Sequence, residues 1–107
     1  MKTIGIIPAR MAASRFPGKP LHSIHGKPML EHVFQRAQLY EGWNRLVIAT
    51  CDQEIEQFSK KNGLPVVMTG SHHTRALDRV AQAYENMEKT RKRLELLEIF
   101  MFLKLNN

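Results

Sequence analysis

The sequence carries one cysteine, Cys51, so no internal disulfide can staple the chain. With no second thiol or evident base near it in sequence, Cys51 is expected to be a small packed residue, not a nucleophile. Long apolar runs are also missing: none approaches the roughly 20 residues of a membrane-spanning helix. The short apolar start leads at once into a charged, proline-rich segment, unlike a secretory leader. A cytoplasmic location is the expectation. Two phosphate-binding signatures are absent as well. No G-x-G-x-x-G follows the first apolar run, and Gly18-Lys19 is followed by Pro20 where a P-loop has serine or threonine. Internal repeats and low-complexity segments are lacking.

What remains is the composition of an ordinary soluble domain, 43% hydrophobic and 24% charged. At 107 residues it is long enough for one modest domain that buries roughly two-thirds of its unfolded surface. A net charge of +6 admits nucleic acid, a membrane surface or a small anionic ligand as partner. The cations form two groups. Arg10, Arg15, Lys19 and Lys27 lie in or near the first loop, while Lys89, Arg91, Lys92 and Arg93 form a run near the end.

Residues 2–7 read as a strand ending in Ile4, Ile6 and Ile7. Pro28 suits the first turn of a helix, where its missing N–H costs nothing. Leu30, Val33, Phe34 and Ala37 then recur at helical spacing to an end near 40–42. Residues 45–50 form an apolar, β-branched run that suits a strand buried on both faces. A polar helix follows over 52–62, with Ile55 and Phe58 inward and Gly63 as its left-handed stop. Asp52 stands before it as an N-cap. Residues 66–69 give a third strand, 70–74 a loop, and Ala76, Leu77, Val80, Ala81, Tyr84 and Met87 a third helix. The order β-α-β-α-β-α predicts a three-layer α/β/α, Rossmann-like fold with parallel strands. Ligands of such folds bind beyond the carboxyl ends of the strands, so the three loops after the strands share one rim.

The first loop is the chemical feature. Pro8, Pro17 and Pro20 are expected to hold it extended, limiting the entropy lost when its basic side chains order on a ligand. Arg10 and Arg15 can grip phosphate oxygens with paired donors, and Lys19 supplies a point charge that follows charge developing in a transition state. A triphosphate suits this loop best; the bland alternative is a solvated loop shaped by its prolines.

IPAR-x5-FPGKPL, followed by GKPML-x-HV, VIAT-x-D, VVMT and Leu77-Asp78-Arg79, resembles the amino-terminal part of the 3-deoxy-manno-octulosonate cytidylyltransferase family. The likeness runs to about Tyr84. It implies a sugar nucleotidyltransferase half-domain over residues 1–90. The implied reaction joins CTP to an acid sugar with magnesium, releasing pyrophosphate and giving the CMP-sugar of lipopolysaccharide biosynthesis. By position it implies Arg10 and Lys19 as the catalytic triphosphate ligands, with Ser14 and Arg15 beside them and Ala9 against the nucleoside. Asp78 matches the aspartate of a family loop that reads Ser-Gly-Thr-Asp-Arg near the base; Arg75, Ala76 and Leu77 replace its first three residues, Arg75 being carried over as nucleotide-binding. His73 resembles the family's loop histidine. The family further implies a homodimer, with neither nucleic acid nor membrane as partner.

Other candidates have plainer readings. His72 with His73, and His22 with His25, have metal-ligand spacing but no completing carboxylates or thiols, so they are expected to be loop residues. Trp43 and Phe58 fit the packing pattern. After Glu85 the likeness stops, and the magnesium carboxylates of a family Gln-Gly-Asp-Glu-Pro segment do not follow. The chain by itself is therefore expected to be inactive. Residues 91–107 are expected to be a non-matching tail, read either as a frameshift product of a fourth strand or as an amphipathic helix with Leu94, Leu97, Met101 and Lys104 along one side. Rival functions are another sugar nucleotidyltransferase, a basic domain that meets nucleic-acid phosphates through the 89–93 run, and a non-catalytic partner docked by the apolar tail.

Overall fold

The computed structural model describes residues 2–12, 17–71, 76–90 and 97–101. Its elements in chain order are β1 (Lys2–Pro8), a 3-10 turn (Lys19–Leu21), β2 (Ser23–Ile24), β3 (Lys27–Pro28), α1 (Met29–Gln38), β4 (Arg45–Thr50), α2 (Gln53–Lys61), β5 (Val66–Met68), α3 (Ala76–Thr90) and β6 (Leu97–Met101). The main sheet has the order β5-β4-β1-β6, and each neighbouring pair is parallel. The expected α/β/α architecture is present.

Alternation along the central strands builds two cores. Ile7 and Ala9 of one face meet Ile48, Leu30, Phe34 and Ala37 of α1, and Ile55 of α2. Ile4 and Ile6 of the other face meet Val47 and Ala49, and Val80, Ala83 and Met87 of α3. Because β1 and β4 are covered on both sides, they read as continuous apolar runs. Burying each isoleucine contributes roughly 1.5–3 kcal/mol.

Several details differ from the sequence reading. Pro28 lies at the N-cap of α1, not in its first turn, because its extended backbone (φ −58°, ψ 148°) pairs with Ser23 in a two-stranded hairpin. Helix α1 stops at Gln38, and the Trp43 indole N–H donates to the Ala37 carbonyl at 2.8 Å beside that end. Trp43 and Phe58 both pack, with Tyr40 edge-on to Trp43 at 4.8 Å. In α3 Val80 and Met87 are buried and Tyr84 packs on them as expected, but Ala83 takes the inward place expected of Ala81, which is exposed. Helix α2 ends as expected, with Gly63 at φ 72°.

Residues 97–101 form a strand, not an amphipathic helix. Leu97 to Met101 align with Lys2 to Ile6 of β1. Helix α3 crosses the face of the sheet from β5, at one edge, to β6 at the other. From β1 the chain therefore winds outward through β4 and β5, then returns to the opposite side of β1. That reversal is the topological switch point where open α/β sheets bind ligands. No helix among the described residues is long and apolar enough to cross a membrane.

Candidate functional site

The first loop leaves the carboxyl end of β1 at this switch point. Ala9 continues the sheet pairing, its N–H donating to the Ala49 carbonyl at 2.9 Å, and its side chain is fully buried in the core. Arg10 follows and is half-buried. The loop is not the extended run expected from its prolines. Gly18 donates its N–H to the Met11 carbonyl at 2.6 Å, and a 3-10 turn begins at Lys19 with the buried Pro20 inside it. Gly18 adopts φ 76°, a left-handed conformation that only glycine takes without strain. The excursion is thereby pinched shut at its neck. Arg10 stands immediately before the neck and Lys19, half-buried, immediately after it.

The loop after β4 meets this neck, and the start of the loop after β5 is bonded to the end of β4. Asp52 does stand at the N-cap of α2, but its side chain makes no capping bond there. Its Oδ2 instead accepts the Met11 N–H at 2.9 Å, while its own N–H donates to Thr50 Oγ1 at 3.1 Å. The expectation of a capping aspartate is corrected: a partner across the rim captures the carboxylate. Thr69, after β5, donates its N–H to the Thr50 carbonyl at 2.9 Å. Gln82 reaches back from α3 to accept the Gly70 N–H at 2.7 Å.

Arg79 is the residue whose surroundings sequence reasoning missed. It is 2% exposed, and its guanidinium donates to Thr69 Oγ1 at 3.2 Å and to Cys51 Sγ at 3.7 Å. Both partners are neutral groups at the rim, and no carboxylate among the described residues pairs with it. The polar residues that follow β4 and β5 were the available signal. Cys51 is half-buried in this contact, in keeping with a packed thiol.

The structure thus brings Ala9, Arg10, Lys19 and Asp78 to the carboxyl side of the sheet, Asp78 in the first turn of α3. Ser14, Arg15, Arg75, His72 and His73 lie outside the described residues. His22 and His25 are exposed around the β2–β3 hairpin, and the His32 Nε2 meets the Ile24 carbonyl at 2.6 Å. Among the described residues no group of three or more His, Cys, Asp or Glu could hold a metal ion.

A rim with Arg10 and Lys19 on either side of a closed neck can take the phosphates of a nucleotide. Comparisons with known proteins identify a family. The family model described as cytidylyltransferase matches residues 4–97. The chain is 46% identical over 82 residues to the 3-deoxy-manno-octulosonate cytidylyltransferase of Haemophilus influenzae, covering 77% of this chain and 32% of that one. It is 47% identical over 78 residues to the 8-amino-3,8-dideoxy-manno-octulosonate cytidylyltransferase of Shewanella amazonensis, covering 73% and 32%. The chain thus spans about a third of the length of these curated relatives. Among solved structures, a CMP:2-keto-3-deoxy-manno-octonic acid synthetase complexed with CTP superposes with a TM-score of 0.78 at 36% identity, over 94% of this chain and 40% of that one. A cytidylyltransferase from Leptospira borgpetersenii shares the fold, with a TM-score of 0.70 at 24% identity over 94% and 41%.

Proposed function

Because this chain belongs to the cytidylyltransferase family, we propose that its rim is the CTP site of an enzyme activating 3-deoxy-manno-octulosonate for lipopolysaccharide assembly. The observation that carries the reading is the pinched loop at the switch point, with Arg10 and Lys19 on either side of the Met11–Gly18 bond. In the proposed reaction the anomeric hydroxyl of the acid sugar attacks the α-phosphorus of CTP. A sugar–oxygen–phosphorus linkage forms, the bond to the bridging oxygen breaks, pyrophosphate departs with that electron pair, and the hydroxyl proton is released. Arg10 and Lys19 hold the triphosphate and offset the negative charge that grows on the departing pyrophosphate. Ala9, fully buried with its N–H committed to the Ala49 carbonyl, forms the floor beneath the nucleoside in this reading. Asp78, with Ser14, Arg15 and Arg75, completes the nucleotide contacts in this reading.

Magnesium accompanies a triphosphate in such chemistry, supplying charge neutralisation at its phosphates. The described residues do not compose a cage for it: they contain no cluster of three ligands, and the Asp52 carboxylate is committed to the Met11 N–H. The amino-sugar relative, at 47% identity, favours a second reading in which the acid sugar carries an amino group. The whole enzyme is proposed to be a cytoplasmic homodimer that works on CTP and the sugar, with no nucleic-acid or membrane partner. The nucleotide-binding part is proposed to extend past the expected boundary at residue 90, because β6 (Leu97–Met101) pairs with β1 in the same sheet and the family model runs to residue 97.

Amide NMR of the chain during addition of CTP tests the site. Shifts are expected at residues 10–12, 17–19 and 69–70, and smaller ones with ATP. Shifts confined to the β2–β3 hairpin or to the far ends of the strands contradict the assignment.

A further inference from the structure

An aspartate at an N-cap ordinarily accepts an N–H from the first turn of its own helix. Asp52 does not, and α2 begins without a side-chain cap. Its carboxylate crosses 41 residues of sequence to take the Met11 N–H at 2.9 Å. Its own position is fixed from below, because its N–H donates to the hydroxyl of Thr50, a residue with no solvent exposure. Met11 is gripped a second time at its carbonyl by the Gly18 N–H at 2.6 Å. Both polar main-chain atoms of one residue are thus held, one by the rim of β4 and one by the far side of the loop.

We infer that Asp52 is a positioning residue for the nucleotide site, holding the neck of the first loop so that Arg10 and Lys19 stand at the rim before ligand arrives. The inference rests on the reading of this rim as the CTP site. A carboxylate accepting a main-chain N–H forms a charge-assisted bond, stronger than a neutral one. Ordering the neck in advance removes an entropy loss from the binding step. Asp52 touches no phosphate in this arrangement; it acts through Met11.

Three variants test it: Asp52→Ser, whose hydroxyl still suits an N-cap but is too short to reach Met11; Asp52→Asn, whose amide oxygen can still accept the bond; and Glu54→Ala, an exposed neighbour, as control. Amide hydrogen exchange at Met11 and Gly18 is measured beside CTP affinity by calorimetry. Asp52→Ser is expected to speed exchange at Met11 by about tenfold or more and to weaken CTP by a similar factor. Asp52→Asn is expected to restore most of both, and Glu54→Ala to change neither. The proposal is overturned if Asp52→Ser leaves Met11 exchange unchanged, or if exchange rises while CTP affinity holds. Absence of CTP binding in the unaltered chain overturns the functional reading instead, and Met11 exchange then decides by itself whether Asp52 holds the neck.

Discussion

Gly18 donates its N–H to the carbonyl of Met11 at 2.6 Å, and that bond brings together the two ends of a loop that begins after Arg10 and ends before Lys19. The left-handed turn at Gly18 makes the closure possible, and Lys19 opens the 3-10 turn immediately behind it. Arg10 and Lys19, at the two ends of the loop, thereby flank one neck.

Gly18→Ala is expected to cost about 1–2 kcal/mol, the strain of placing a Cβ at φ 76°. The added methyl would meet only the Met11 Cε at 3.8 Å, an ordinary contact, so the loss comes from the backbone and not from crowding. Urea denaturation of the two proteins checks it. An unchanged midpoint would mean that the loop does not need this turn.

Gly5 serves a different need. A Cβ there would lie 2.6 Å from Leu46 Cδ1 and 3.1 Å from the Trp43 ring, which is tethered through its N–H to Ala37. Leucine's end can rotate away, but the tethered ring must shift bodily. Gly5→Ala is expected to lower stability by about 1–3 kcal/mol, read from urea midpoints, and to redden the tryptophan emission if the ring is pushed toward water. Full stability with unchanged fluorescence would contradict the close packing.

Arg79 separates charge from packing. Its buried guanidinium meets the Thr69 hydroxyl and the Cys51 sulfur, and no ion pair among the described residues compensates the desolvation of the charge. Arg79→Met keeps an aliphatic stem of similar length and removes the charge, so stability should hold or rise. Arg79→Ala also removes the stem and should lose about 2–4 kcal/mol. Equal destabilisation of both variants in thermal or urea melts would show that the two polar contacts outweigh the cost of burying the charge.

The fold was legible because its signals are one-dimensional. The isoleucines of β1 and the run 45–50 are apolar on both faces, and the intervening helices repeat at their own period. The cations of the first loop were legible for the same reason, standing in one short stretch. What escaped depends on contacts between distant stretches. Asp52 looked like a cap because nothing local shows that Met11 will stand opposite it. Pro28 looked like a first-turn residue because the two-residue pairing with Ser23 and Ile24 leaves almost no periodic signal. Residues 97–101 fit a helical stripe as well as a strand, and only the open side of β1 decides between them. Arg79, next to Asp78 and about a quarter turn round α3 from it, gave no sign that it turns inward to Thr69 and Cys51.

Calorimetric titration of the chain with CTP and magnesium, beside ATP and beside the Lys19→Ala variant, tests the central claim most directly. The account predicts preferential binding of CTP, weakened by about 10- to 100-fold in Lys19→Ala through loss of a hydrogen bond to a charged group. A folded chain that takes up no CTP, or binds CTP and ATP alike with no effect of the substitution, would contradict the assignment of this rim as the cytidine nucleotide site.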